Sequence, residues 1–171
     1  MPTFRWMPAG LCATYAQRFH MAELATAAYE KFEVSDFEAR RSGLSYTSDT
    51  LALLRKEYPD SAFSLILGAD SFFEFENWHA PEDICRNARL LVAAREYARE
   101  HSSLSEHARH LEERFGARVA LIPAPLLDIS SMHIRELLAA GKKSAAQYLP
   151  AAVYRYIQDE GLYVPEKEGK L

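Results

Sequence analysis

The pattern of hydrophobic and polar residues predicts strands and helices that alternate along most of the chain. Three short apolar runs are typical of buried strands: Phe63–Leu67, Leu90–Ala94 and Val119–Ile122. Continuous runs of this kind favour parallel strands that are covered on both faces. Because strand and helix alternate, we expect an α/β fold with a right-handed, mainly parallel sheet.

Helices are indicated by apolar residues at helical spacing and by residues that typically begin or end a helix. Five segments have this spacing: Gln17–Tyr29, Ser48–Tyr58, Ser103–Phe115, Ile134–Ala140 and Ala151–Glu160. A sixth helix is expected to begin at Pro81, since proline is favoured in a first helical turn. A short apolar run predicts a strand over Phe4–Met7, and alternating apolar and polar residues predict one over Phe32–Phe37.

The composition fits one globular domain. The chain has 171 residues, of which 49% are hydrophobic, so we expect one domain over residues 1–164 and a polar tail over 165–171. A net charge of −4 argues against a broad basic surface for nucleic acid. No apolar stretch is long enough to span a bilayer and no secretory signal is evident, which predicts a cytoplasmic protein. Cys12 and Cys85 lack the spacing of a disulfide framework or a zinc site.

A candidate phosphate site lies where a hydrophobic run ends and a helix begins. Ser130 and Ser131 stand at the expected helix start, and Arg135 follows in its first turns. Unpaired N–H groups and partial positive charge at a helix start favour a phosphate, and an arginine adds charge. The alternative is a serine that caps the helix, with Arg135 on the surface.

A second candidate site follows the strand predicted over Phe63–Leu67. In open α/β sheets ligands bind beyond the carboxyl ends of the strands, where Gly68 would permit close backbone approach and Asp70 could accept ribose hydroxyls. Trp78 offers a flat face for a heterocycle, and its polar neighbours favour partial exposure. The alternatives are a glycine turn with Asp70 as a helix cap, and a tryptophan that belongs to the core.

A third candidate is the hydroxyl-rich segment that contains Tyr46 and Thr47 and runs into a predicted helix. Its backbone N–H groups could bind an anion such as a carboxylate. Helix capping by Thr47 or Ser48 explains the same residues.

Together these segments resemble one family, the bacterial nicotinate mononucleotide adenylyltransferases. The motifs occur in the family's order and spacing between about Phe4 and Tyr163: Ser45-Tyr46-Thr47-x-Asp49-Thr50, Gly68-Ala69-Asp70, Trp78, Ile129-Ser130-Ser131-x-x-Ile134-Arg135, Tyr148-Leu149-Pro150 and Tyr156-Ile157-x-x-x-Gly161-Leu162-Tyr163. The resemblance implies a Rossmann-like nucleotidyltransferase fold. It also implies an enzyme of NAD biosynthesis that joins the AMP of ATP to nicotinate mononucleotide, forming deamido-NAD and releasing pyrophosphate.

The resemblance assigns roles to the candidate residues. Trp78 would stack on the pyridine ring, and the Tyr46–Thr47 segment would receive the nicotinate carboxylate. Gly68 and Asp70 would line the nucleotide cleft. Ser130, Ser131 and Arg135 would hold the ATP phosphates. The phosphates in turn would make most of the contacts to Mg²⁺. The implied partners are small nucleotides rather than nucleic acid or membrane, and a homo-oligomer is left open.

The sequence departs from the family pattern at two places. Met132 stands where the family often has threonine, which removes one hydroxyl contact. Family members also begin with a strand that leads into Gly-Gly-Thr-Phe-Asp-Pro and a His-x-Gly-His helix, whereas the segment from Phe4 to Gly10 resembles the second family strand. The spacing of His107 and His110 is similar, but they lie within a polar predicted helix and are interpreted as a solvated face.

Two explanations of the missing front motif are left open. The native enzyme carries this unit ahead of the sequence, or the chain is a shortened, non-catalytic nucleotide-binding or interaction paralogue. A flavodoxin-like binding protein is a third reading, which Trp78 and the Arg135 helix start disfavour.

Overall fold

The structure, a computed structural model, describes residues 13–41, 43–94, 98–124 and 129–164. The described chain forms two compact units, one of residues 13–36 with 129–164 and the other of residues 37–124. The strand expected at Phe4–Met7 and the polar tail lie outside the described residues. A single domain extending to residue 164 stays a prediction.

The unit of residues 37–124 is built on a parallel three-stranded sheet. Its elements in chain order are α2 (Thr47–Glu57), β1 (Phe63–Gly68), α3 (Ala69–Phe73), a 3₁₀ turn (Phe75–Asn77), α4 (Pro81–Asn87), β2 (Ala88–Ala94), α5 (Ala98–Phe115) and β3 (Val119–Pro123). The strands are ordered β1-β2-β3, and both pairings are parallel. The predicted α/β class with a mainly parallel sheet is therefore confirmed.

Alternate residues of the strands build the core of this unit. Leu67 of β1 with Leu90 and Val92 of β2 are buried, and they pack in one cluster with buried residues of the surrounding helices. The other face of β1 is more open, since the Ile66 side chain is 68% exposed. The expectation of cover on both faces is therefore wrong for β1, because an apolar run does not reveal how many layers the fold places around it.

The other unit is helical. It contains α1 (Tyr15–Thr26), α6 (Ser131–Ala139), a 3₁₀ turn (Lys143–Tyr148) and α7 (Ala151–Asp159). Thr14 begins α1 with a capping box, in which its hydroxyl accepts from the Gln17 N–H at 3.3 Å while the Gln17 side chain accepts from the Thr14 N–H at 2.9 Å. A small core joins α6 to α7 through Leu138, Val153 and Ile157.

The observed helix ends follow the residues that predicted them. Gly116, Gly141 and Gly161 each have a positive φ just beyond a helix, a conformation in which glycine has no steric penalty. The segment Phe32–Phe37 is not a strand but loop that leads into a turn, and Phe32 is 66% exposed. Alternation alone predicted a strand there, but a strand needs a pairing partner that the sequence pattern does not supply. In the described part of the chain, no helix is both long and apolar enough to cross a membrane.

One residue between two elements has an unusual backbone. Ala80 precedes Pro81 at the start of α4 with φ 47° and ψ 63°, in the left-handed region. This conformation costs a non-glycine residue about 1–2 kcal/mol. The fold therefore maintains a strained residue two positions after Trp78.

Ala80→Gly is expected to raise the free energy of unfolding by about 0.5 kcal/mol, because relief of the left-handed strain exceeds the entropy that glycine adds to the unfolded chain. Urea unfolding of the variant measures the change. The matched control is Ala52→Gly on the exposed side of α2, which should lower stability by about 1 kcal/mol. If Ala80→Gly lowered the free energy of unfolding as much as Ala52→Gly, the backbone of Ala80 would not be strained.

Candidate functional site

The N-terminus of α2 carries the hydroxyl-rich motif. The N-cap residue is Tyr46, which makes no side-chain capping bond, and the first helical bond runs from the Thr50 N–H to the Tyr46 carbonyl at 3.0 Å. Capping by Thr47 or Ser48 is therefore not what the structure shows, since both residues lie inside the helix. The N–H groups of the first turn point out of the helix end, where the helix dipole favours an anion.

Two buried polar atoms beside this helix end lack a hydrogen-bond partner among the described residues, Ser48 Oγ and Arg41 Nη1. Ser48 is 4% exposed. Arg41 Nη2 lies 3.4 Å from Asp49 Oδ2, which fixes the guanidinium against the first turn of α2. Buried polar groups are normally paired, so an unpaired hydroxyl and guanidinium N–H mark this helix end as a place for a polar ligand.

Tyr46 also links this motif to the segment that contains Trp78. The Tyr46 ring stacks on the His79 ring with a centroid distance of 4.1 Å and an interplanar angle of 29°. Trp78 is half-buried, as its polar neighbours predicted, and its ring lies 5.7 Å from the buried Phe75. The stack places the start of α2 beside Trp78, although more than thirty residues separate the two motifs in sequence.

The residues after β1 lie at its carboxyl end, as expected. Gly68 is the last residue of β1 and the N-cap of α3, with φ −77° and ψ 162°. This conformation is open to any residue, and a β-carbon at Gly68 would meet no atom of the described residues within 4 Å. Asp70 is exposed inside the first turn of α3 and is not its cap. The described residues therefore do not require glycine here, and they leave space beside the strand end.

The candidate phosphate residues lie at the start of α6. Ser130 is the N-cap, and its hydroxyl accepts from the His133 N–H at 3.1 Å, as the capping alternative predicted. Ser131 is exposed. Arg135 is half-buried on the next turn, and it forms no hydrogen bond or ion pair with another described residue. The cap uses the His133 N–H and orders the helix start. The Ser131 hydroxyl, the N–H groups of Ser131 and Met132, and Arg135 are left available to a ligand.

The interpretation of His107 and His110 on α5 as a solvated face holds for His110, whose side chain is 51% exposed, but not for His107, which is half-buried. The His107 ring donates to the Phe72 carbonyl at 3.1 Å and lies 5.0 Å from the Phe72 ring. His110 Nε2 lies 2.7 Å from Glu76 Oε1. A polar helical pattern predicted exposure of both rings, but α5 packs His107 against α3, while His110 stays exposed as it contacts Glu76.

The surroundings of Cys85 do not favour a reactive thiolate. It is a free, buried thiol on α4. Burial, together with repulsion from the Glu82 carboxylate, raises the pKa of this thiol to about 11. A thiol with that pKa stays protonated near neutral pH, and the thiolate is the reactive form.

The comparisons with known proteins agree with the motifs. The sequence model of the cytidylyltransferase-like family matches residues 10–137. A probable nicotinate-nucleotide adenylyltransferase of Lachnoclostridium phytofermentans is 38% identical over 147 residues, which cover 86% of this chain and 72% of the relative. A probable nicotinate-nucleotide adenylyltransferase of Syntrophotalea carbinolica is 37% identical over 162 residues, or 87% of this chain and 74% of the relative. The chain belongs to the nicotinate-nucleotide adenylyltransferase family.

A solved member of the nicotinate-nucleotide adenylyltransferase fold supports the architecture. Plasmodium falciparum nicotinic acid mononucleotide adenylyltransferase complexed with APC aligns with a TM-score of 0.69 at 20% identity, covering 90% of this chain and 78% of that one. The Rossmann-like nucleotidyltransferase fold implied by the sequence motifs is thereby confirmed. The family resemblance itself is confirmed as well, whereas the roles of single residues in this nucleotidyltransferase are proposals.

Proposed function

We propose that this protein transfers the AMP of ATP to nicotinate mononucleotide. A phosphate oxygen of the mononucleotide attacks the α-phosphorus of ATP, the bond to the β-phosphate oxygen breaks, and deamido-NAD and pyrophosphate are formed. Such a transfer needs no covalent enzyme intermediate, so catalysis consists of alignment and charge stabilisation.

The observation that carries this proposal is the Tyr46–His79 stack. It holds the free N–H groups at the start of α2 next to the segment that presents Trp78. A pyridine ring with a carboxylate substituent needs both features at once, a flat aromatic face and a group of N–H donors.

The start of α2 favours nicotinate over nicotinamide. The helix dipole, the unpaired Ser48 hydroxyl and the Arg41 guanidinium all stabilise a negative charge more than a neutral amide. An amide would also place two N–H donors toward a helix end that consists of donors. We therefore assign the carboxylate to this end, with Tyr46 and Thr47 lining it.

We assign the ATP contacts to the two other motifs. Free space beside Gly68 admits the nucleotide to the end of β1, where Asp70 accepts ribose hydroxyls. Ser131, the N–H groups at the start of α6 and Arg135 bind phosphate oxygens. Ser130 contributes by capping the helix and so fixing the direction of these N–H groups.

A magnesium ion fits this site as a companion of ATP. The described residues contain no group of three or more histidine, cysteine, aspartate or glutamate side chains that could hold a metal. Mg²⁺ bound to nucleotides is commonly held by phosphate oxygens and water. The ion would neutralise charge on the phosphates. Because the reaction consumes ATP, we place the protein in the cytoplasm with small nucleotides as its partners.

Calorimetry of the purified protein with nicotinate mononucleotide, nicotinamide mononucleotide and ATP tests this function, together with an assay for deamido-NAD. We expect binding of ATP and tighter binding of the nicotinate form than of the nicotinamide form. Failure to bind either pyridine nucleotide would overturn the proposal. Binding without formation of deamido-NAD, both by this chain and by a version extended with the family's front strand and His-x-Gly-His helix, would instead favour the non-catalytic paralogue.

Trp78→Ala is expected to weaken nicotinate mononucleotide binding by about 1–2 kcal/mol, because the stacking face for the pyridine ring is lost. The same ligand should quench Trp78 fluorescence, which is measured in a Trp6→Phe background, since the chain has only two tryptophans. Trp78→Phe retains a ring and serves as the control, with a smaller loss of affinity. Unchanged affinity of Trp78→Ala for nicotinate mononucleotide would show that the pyridine ring does not stack on Trp78.

A further inference from the structure

The segment that presents Trp78 has little regular structure of its own. Trp78 follows the single 3₁₀ turn Phe75–Asn77 and is joined to it by one backbone bond, from the Trp78 N–H to the Phe75 carbonyl at 3.1 Å. On its other side comes the strained Ala80. The orientation of Trp78 therefore depends on how firmly the 3₁₀ turn is fixed.

The Glu76 carboxylate of this turn contacts the side chains of a histidine and an arginine on α5. His110 Nε2 lies 2.7 Å from Glu76 Oε1, and Arg114 Nη1 donates to the other carboxylate oxygen, Oε2. The Glu76 side chain is 23% exposed, less than half the value for His110 or Arg114. Both carboxylate oxygens are thus occupied, one by each partner, which restrains the rotation of the group as well as its position.

A second contact holds the preceding helix to the same α5 surface. The His107 ring donates to the Phe72 carbonyl and packs against the rings of Phe72 and Phe73. His107, His110 and Arg114 recur at helical spacing and so lie on one side of α5. That side therefore holds α3 at one point and the 3₁₀ turn at another.

We infer that Glu76 is a positioning residue for the pyridine subsite, which orients Trp78 through its contacts with His110 and Arg114. This inference rests on the proposed function, since it concerns the same ring. A stacking side chain that is fixed before binding loses less conformational entropy when the ligand arrives. In this inference Glu76, His110 and Arg114 act on the ligand through the orientation of Trp78.

The experiment compares Glu76→Ala with Glu23→Ala, both in the Trp6→Phe background. Glu23 is a matched control because it also contacts a histidine, with 3.2 Å between His20 Nδ1 and Glu23 Oε2, but within the exposed surface of α1. Trp78 emission and its quenching by acrylamide are recorded without ligand, followed by the dissociation constants for nicotinate mononucleotide and for ATP.

We expect Glu76→Ala to shift Trp78 emission to the red and to increase acrylamide quenching in the folded protein. The dissociation constant for nicotinate mononucleotide should rise about three- to fivefold, the range expected for loss of a surface ion-pair network, with no change for ATP. Glu76→Gln, which can still accept from one partner, should lie between Glu76→Ala and the parent. Glu23→Ala should change none of these values.

Unchanged emission and acrylamide quenching in Glu76→Ala would overturn the inference. An equal loss of affinity for ATP and for the mononucleotide would overturn it too, because that result indicates general destabilisation. If the parent protein bound no pyridine nucleotide, the proposed function would fail. The unliganded Trp78 measurements would still decide whether Glu76 positions the ring.

Discussion

Arg135→Ala is expected to weaken ATP binding by about 1.5–3 kcal/mol, or roughly tenfold to a hundredfold, because the guanidinium forms charge-assisted bonds to phosphate. Thermal stability should stay within about 0.5 kcal/mol of the parent. The physical reason is that Arg135 pairs with no other described residue, so its removal leaves no described group without a partner. Arg135→Ala should therefore lose ATP affinity while its thermal stability is nearly unchanged.

Calorimetry with ATP and thermal unfolding of the same sample measure both quantities for Arg135→Ala. Arg155→Ala provides the matched control, since Arg155 is an exposed arginine on α7 to which no ligand role is assigned. Equal ATP affinities for the parent and Arg135→Ala would contradict the assignment of the phosphate site to the start of α6. A comparable loss in Arg155→Ala would show that net charge, rather than position, governs ATP binding.

Phe72→Ala is expected to lower the free energy of unfolding by about 3–5 kcal/mol, the usual cost of truncating a buried phenylalanine. The Phe72 side chain is fully buried in the core beneath the sheet and contacts the His107 ring edge-on. Truncation removes apolar burial and leaves a cavity that the neighbouring elements cannot fill.

The next residue supplies the control for Phe72. Phe73 lies on the same short helix but is 40% exposed, so Phe73→Ala should cost only about 1 kcal/mol. Urea unfolding of the two variants measures the difference. If Phe72→Ala does not fold, Phe72→Leu, with an expected loss of about 1–1.5 kcal/mol, gives the same comparison. Similar costs at the two positions would contradict the burial described for Phe72.

Much of the fold was predictable because its signals are local. Continuous apolar runs located β1, β2 and β3 to within one or two residues, and Pro81, Gly116 and Gly161 marked helix ends through constraints on their own backbone. The prediction failed at Phe32–Phe37, where strand formation depends on a partner elsewhere. Helix α3 and the two 3₁₀ turns are too short to show a period.

The candidate site was predictable only in part. Family motifs named Tyr46, Trp78 and Arg135, and the structure places Tyr46 near Trp78 through His79. In the sequence His79 is only a polar neighbour of Trp78, and its stacking on Tyr46 has no local signal. The sequence pattern does not single out Arg41 or Glu76, because each depends on a partner outside its own segment: Asp49 of α2 for Arg41, and two residues of α5 for Glu76. No sequence period encodes such contacts.

The division of the chain into two units has a consequence for biosynthesis. The unit of residues 37–124 is one continuous stretch, so all of its strands are available once the ribosome has delivered that stretch. The helical unit instead joins α1 to α7, with residues 27–150 between them, and its core waits for the last helix to leave the exit tunnel. Non-local closure is slow, and domains generally form in the order of synthesis. The unit of residues 37–124 would thus mature on the nascent chain, whereas the residues of α1 that pack in the core with α7 would stay uncovered until α7 has been synthesised.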